Sequence, residues 1–162
     1  MHPTADTATL IYFKGAGRRV MPGVRFLHLW ETAMLEIRYS TPHDLEISGT
    51  VDELQMVRRG ILDLIESDAA RIVFVADSAI EPSPYNSALS KLVVMRGQCP
   101  TKISLKDEGE VHVEGSPYCL EAFASFFEFK PDTAKGTHSH YEYYEGNEWV
   151  APDSIPLVIG VK

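Results

Sequence analysis

Residues 136–149, GTHSHYEYYEGNEW, hold the densest set of side chains able to do chemistry in this chain. On an extended strand, His138, His140, Glu142 and Tyr144 would share one face, and Ser139, Tyr141 and Tyr143 the other, because successive side chains alternate. Two imidazoles two residues apart on one strand can reach a single metal ion. The same stretch supports a second use. His138, His140, Tyr141, Tyr143, Tyr144 and Trp149 form an aromatic cluster, with Glu142, Glu145 and Glu148 beside it. Tyr and Trp anchors with acidic neighbours suit a surface that binds a basic protein, and an edge strand can add main-chain bonds to a partner. The third use is packing, with the strand in the middle of a sheet and its rings covering helices or a sheet face.

The segment also resembles the first metal motif of the cupins, with Glu145 in the place of the third ligand. That resemblance implies a small metal-binding enzyme or ligand-binding protein built on the His138/His140 strand. A cupin needs a second motif with another His well downstream. Only 17 residues follow Glu145, and none is His. His2, His28, His43 and His112 stand in no ligand spacing to the strand. The expectation is therefore no metal and no cofactor, with the cupin-like reading kept as the alternative. No nucleophile elbow, P-loop or dinucleotide fingerprint occurs, so no catalytic residue is assigned.

The elements that would position this strand follow from a repeat. Residues 44–68, DLEISGTVDELQMVRRGILDLIESD, return 66 positions later in residues 110–130, EVHVEGSPYCLEAFASFFEFK. Leu45 and Ile47, like Val111 and Val113, alternate with polar residues as half-buried strands do. Gly49 and Gly115 end the strands. Thr50 and Ser116 follow as helix N-caps, Thr50 with Glu53 as a capping box and Ser116 with Pro117 at the first helical position. Leu54, Val57 and Ile61 coincide with Leu120, Phe123 and Phe127, one apolar helix face each. The unit around each repeat reads β-β-α-β-β. In the first, strands are expected over 35–39, 45–48, 71–76 and 91–96 with a helix over 51–67. In the second, strands are expected over 102–105, 111–114, 137–144 and 156–160 with a helix over 117–129. The apolar run 71–76 should be a central strand. The expected fold class is α+β: a duplicated β-β-α-β-β unit forming one curved, mainly antiparallel sheet with two helices on one face. Residues 1–33 read as an N-terminal extension, possibly a hairpin with strands over 10–13 and 24–30, or as an over-long start. Residues 34–162 read as a single domain of two repeats, about 34–99 and 100–162.

The 162 residues carry 44% apolar and 23% charged side chains, ordinary for a globular chain. No apolar run approaches the roughly 20 residues that span a bilayer, and no secretory signal opens the chain. Cys99 and Cys119 give neither a disulfide framework nor zinc spacing, so a partly buried thiol is expected and the location is read as cytoplasmic. The formal charge of −8 is uneven. Residues 1–33 hold Lys14, Arg18, Arg19 and Arg25 against Asp6 and Glu31, or +2, which leaves −10 on the remainder. Such a field disfavours a nucleic-acid backbone and favours a basic partner.

Taken together, the units ISGTVDELQ and VEGSPYCLE, the His-x-His-Tyr-Glu strand at 138–142 and the closing DSIPLVI at 153–159 resemble a group of small bacterial immunity proteins encoded beside polymorphic toxins. The resemblance covers roughly residues 34–162. It implies a non-enzymatic α+β protein that binds and neutralises a cognate toxin domain. Its contact residues are expected at His138, His140, Tyr141, Glu142, Tyr143, Tyr144, Glu145, Glu148 and Trp149. The expected partner is a basic toxin domain, with no nucleic acid and no membrane, and the sequence leaves the oligomeric state open.

Overall fold

The computed structural model describes residues 9–12, 35–106 and 109–162. In chain order these form β1 (Thr9–Tyr12), β2 (Glu36–Ser40), β3 (Asp44–Gly49), α1 (Val51–Glu66), β4 (Arg71–Val75), β5 (Ser87–Leu89), β6 (Lys91–Arg96), β7 (Lys102–Lys106), β8 (Glu110–Gly115), α2 (Pro117–Ser125), β9 (His138–Tyr141) and β10 (Leu157–Val161). The class is α+β. The expected strand over 24–30 lies outside the described residues.

Both helices start where their caps require. The Thr50 hydroxyl accepts from the Glu53 amide, and the Glu53 carboxylate accepts from the Thr50 amide at 2.7 Å, closing the capping box. The Ser116 hydroxyl accepts from the Cys119 amide, with Pro117 at the first helical position. Leu54, Val57, Ile61 and Leu64 of α1 are wholly buried, as are Leu120 and Phe123 of α2. The second helix is shorter than its apolar pattern implied. After Ser125 the amides of Phe126, Phe127 and Glu128 bond three residues back, to the carbonyls of Phe123, Ala124 and Ser125. This tighter winding ends the helix and still buries Phe127 and Phe129.

No basic residue stands in the last turn of α1. Arg96, at the end of β6, supplies the charge from outside. Its guanidinium donates to the carbonyls of Leu64 (2.7 Å), Ile65 (2.9 Å), Ala69 (2.9 Å) and Ser67. Carbonyls that a helix C-terminus leaves unpaired thus meet a cation that the helix dipole favours.

The expectation of one curved sheet is corrected. The described residues form two five-stranded, mixed sheets, in the orders β1-β4-β6-β8-β7 and β5-β2-β3-β10-β9. The hairpin β2-β3 pairs not with β4 but with β10, which lies parallel to β3, with Leu157 beside Leu45 and Ile159 beside Ile47. The hairpin β7-β8 likewise joins β6, which lies parallel to β8, with Leu92 beside Val111 and Val94 beside Val113. Each helix carries the chain from one sheet to the other, so each β-β-α-β-β segment is divided between both. Nothing local in the sequence specifies that exchange, because hairpin signals report neighbours only along the chain. The helices pack on each other, α1 also meeting β3 and β4 and α2 meeting β8. The apolar faces of both sheets and both helices merge into one buried cluster.

The two halves pair alike. Phe74 stands beside Leu92 in the first sheet, as Tyr141 stands beside Leu157 in the second. The spacing of 66 that holds through hairpin, cap and helix becomes 67 from Phe74 to Tyr141 and 65 from Leu92 to Leu157.

Cys99 and Cys119 form a disulfide, Cα atoms 5.8 Å apart, which corrects the expectation of a free thiol. The bond ties the β6–β7 connection to the first turn of α2. A spacing of 20 residues gives no local sign of such contact; only the turn of β8 into α2 brings the two together.

Candidate functional site

Among the described residues, the second sheet turns one face to the core and leaves the other open. Its open face is built in rows across the strands. Register sets His140 beside Val158, Val158 beside Glu46, and Glu46 beside Arg38. One row over, His138, Gly160, Ser48 and Glu36 align in the same way. Val158 and Gly160 are small, and a Cβ placed on Gly160 would meet nothing nearer than 3.9 Å. They therefore form a low floor between the histidines on one side and a charged wall on the other. Two depressions occupy this trough, both bordered by His140. One, of about 510 Å³, is lined by His138, Arg38, Glu46 and Lys162 among others. The second, of about 440 Å³, is lined by His43, Asp44, Tyr85 and Glu142 among others.

The wall is an ion-pair ladder. Glu36 meets Arg38 at 2.7 Å and Lys162 at 3.0 Å, and Arg38 also lies 3.5 Å from Glu46. Burial pushes the Glu36 carboxyl up, but its bonds to Lys162 and Arg38 outweigh that and leave it below its ordinary value. The Tyr85 hydroxyl donates to Glu46 at 2.8 Å. Burial first, and then the Glu46 carboxylate, push that hydroxyl up to about 12.

The histidine strand is not central. β9 is an edge strand of four residues, shorter than the expected 137–144. Its pairing with β10 ends at Tyr141, where the chain leaves for a turn. There the Asn147 amide bonds back to the Tyr144 carbonyl at 2.9 Å, and Gly146 takes φ +87° as the third turn residue. The Asn147 side chain fastens both ends of this turn, donating to the Glu142 carbonyl and accepting from the Trp149 amide.

The nine residues expected to make a surface divide accordingly. His138 and His140 are exposed on the trough side of β9, ring centroids 5.0 Å apart and edge to face. Glu142, Tyr143, Tyr144, Glu145 and Glu148 are exposed on the strand end and turn. Tyr141 is corrected: alternation turns it inward, where it is 1% exposed and packs edge-on against Phe123 and Phe126, centroids 4.9 Å from each. Burial raises its hydroxyl above the ordinary value. Trp149 is half-buried against the ring of Tyr118 at 4.4 Å, and its carbonyl accepts from the Thr101 amide. It anchors the turn to the first sheet.

The wall residues Glu36, Arg38, Ser48, Tyr85 and Lys162 stand outside the nine expected from the sequence. Alternating polar positions in 36–38 and 46–48 were the available signal. What brought them opposite His138 and His140 was the parallel pairing of β3 with β10. Among the described residues, no three His, Cys, Asp or Glu side chains stand together as a metal-ligand group, and no helix is long and apolar enough to cross a membrane. No family model, curated protein or solved structure matches the chain.

Proposed function

We propose that this chain is a non-enzymatic immunity protein of bacterial origin that binds and neutralises a cognate, basic toxin domain. The observation that supports it is the continuous exposed surface of β9 and the turn after it. There His138, His140, Tyr143 and Tyr144 lie beside Glu142, Glu145 and Glu148. Exposed aromatic side chains rimmed by acid are suited to capture of a basic protein, and the formal charge of −8 disfavours a nucleic-acid backbone. The resemblance to immunity proteins includes the same strand, beside the units ISGTVDELQ and VEGSPYCLE and the closing DSIPLVI. Descent of the two halves from one duplicated unit belongs to this proposal, supported by their matching strand pairing. A cytoplasmic location belongs to it too; the Cys99–Cys119 bond pulls the other way, because disulfides persist in oxidising compartments.

Reversing Glu142, Glu145 and Glu148 to Lys tests the surface. These residues are exposed, so the fold should remain, while affinity for the toxin domain should fall by roughly tenfold or more. Unchanged affinity in titration calorimetry would move the interface elsewhere.

A further inference from the structure

Leaving out β1 and β5, each sheet has a core of four strands, β4-β6-β8-β7 in one and β2-β3-β10-β9 in the other. Among the described residues, three of the four outer edges of these cores are covered. The edge of β4 is covered by β1, in parallel. The edge of β2 is covered by β5, antiparallel. The edge of β7 is closed by residues 149–155. There the Thr101 amide donates to the Trp149 carbonyl (2.7 Å), the Ala151 amide to the Thr101 carbonyl (2.9 Å) and the Ile155 amide to the Ile103 carbonyl (3.0 Å), while the Ile103 amide donates to the Ser154 hydroxyl.

The fourth edge is β9. The bond from the Val161 amide to the Thr137 carbonyl fixes its phase. Opposed residues in an antiparallel ladder alternate between bonded and non-bonded pairs. Ser139 and Tyr141 therefore bond to Ile159 and Leu157, and the main-chain N–H and C=O groups of His138 and His140 point away from the sheet. Among the described residues no backbone group pairs with them. The strand carries no Pro, Lys or bulge within the pairing, and of the usual protections of an exposed edge it has only its length of four residues.

We propose that β9 is a strand-acceptor edge whose occupant is an extended, basic segment of the partner protein. This rests on the partner-binding reading above and names the part of the partner that docks. Charge selects the occupant. The exposed charged side chains on either side of β9 in the chain are Asp132, Glu142, Glu145 and Glu148 against Lys130 and Lys135, with Glu128 already paired to Arg58 at 3.5 Å. A second copy would bring the same acidic surround against itself, whereas a strand alternating Lys or Arg with β-branched residues meets it favourably. Main-chain bonds would supply register-independent affinity, and the flanking carboxylates would supply selectivity.

The probe is a synthetic peptide alternating Lys and Val, titrated into the full-length protein and read by amide chemical shifts. Saturable binding is expected, with the His138 and His140 amides moving most. His140→Ala keeps the main chain and sets the reference for loss of the imidazole alone. His140→Pro removes an outward N–H that the fold itself does not use, as an edge position tolerates, and should weaken binding by roughly tenfold or more. Should that variant fail to fold, the same peptide with alternate amides N-methylated tests the same bonds on the unaltered protein and should not bind. Absence of binding by the Lys-Val peptide would overturn the proposal. So would binding that survives both His140→Pro and N-methylation, or equal binding of a Glu-Val peptide. A protein dimer that dissociates on His140→Pro would assign the edge to a second copy and also overturn it. A toxin complex unaffected by folded His140→Pro would remove the edge inference and leave the immunity reading standing; failure of the native chain to bind the toxin would remove the latter.

Discussion

Single residues decide two properties of this molecule that neither periodicity nor composition reveals. Gly60 sits mid-helix in α1, an unfavourable place by propensity. A Cβ there would lie 2.8 Å from the Phe74 ring and 2.9 Å from Ile72, so the glycine lets the helix approach β4. Gly60→Ala gains about 1 kcal/mol of helix propensity and incurs about 1–3 kcal/mol of overpacking. Urea denaturation should show a net loss of stability, and a more stable variant would mean that α1 and β4 are not in contact. Tyr85 gives a pH signature. Its hydroxyl is ordinary at 10 in an unfolded chain and is pushed up to about 12 in the fold. Below pH 10 both states hold the proton and its contribution is complete; between 10 and 12 the unfolded chain releases it first, and stability is lost. Melting temperature should therefore fall more steeply over that window in the native protein than in Tyr85→Phe. Parallel curves would mean that the bond to Glu46 is absent. At this scale the caps were legible, because Thr50, Glu53, Ser116 and Pro117 act within one turn of their own position. Gly60 and Tyr85 were not, since what each touches is distant in the chain.

At the scale of elements, the strands and helices were legible and their pairing was not. The helix face of Leu54, Val57 and Ile61 is wholly buried, because an apolar stripe has one stable use. Alternation was equally informative for β3 and β8. It also placed Tyr141 opposite His138 and His140, and the side it took was decided by the parallel alignment of β10 with β3. β5 escaped notice because three residues in a stretch rich in Pro and Ser carry no periodicity. The disulfide is the element-scale feature with the most direct assay. Its loop of 20 residues implies about 3 kcal/mol of stabilisation in the chain-entropy account. Intact mass under non-reducing conditions should be two hydrogens below that of the reduced chain, and dithiothreitol should lower the urea midpoint. A reduced mass in freshly purified protein would return both residues to the thiol state and remove the objection to a cytoplasmic location.

Across the whole molecule, the exchange of strands between halves creates the surface. Were β9 and β10 paired only within their own half, His138 and His140 would not face Glu36, Arg38 and Glu46 across the floor of Val158 and Gly160. The histidines alone looked like a metal motif. Set beside an ion-pair ladder and an acidic turn, they fit the proposed protein-contact surface. Function itself was not legible from composition or periodicity; it entered through a short resemblance and is supported by where the structure puts those residues. Whether the chain captures a toxin is decided by co-expression with the toxin domain encoded nearest the gene. Survival of the host together with a stable complex of the two chains is the predicted result. Death of the host at normal levels of this folded protein, with no complex on size-exclusion chromatography, would contradict it.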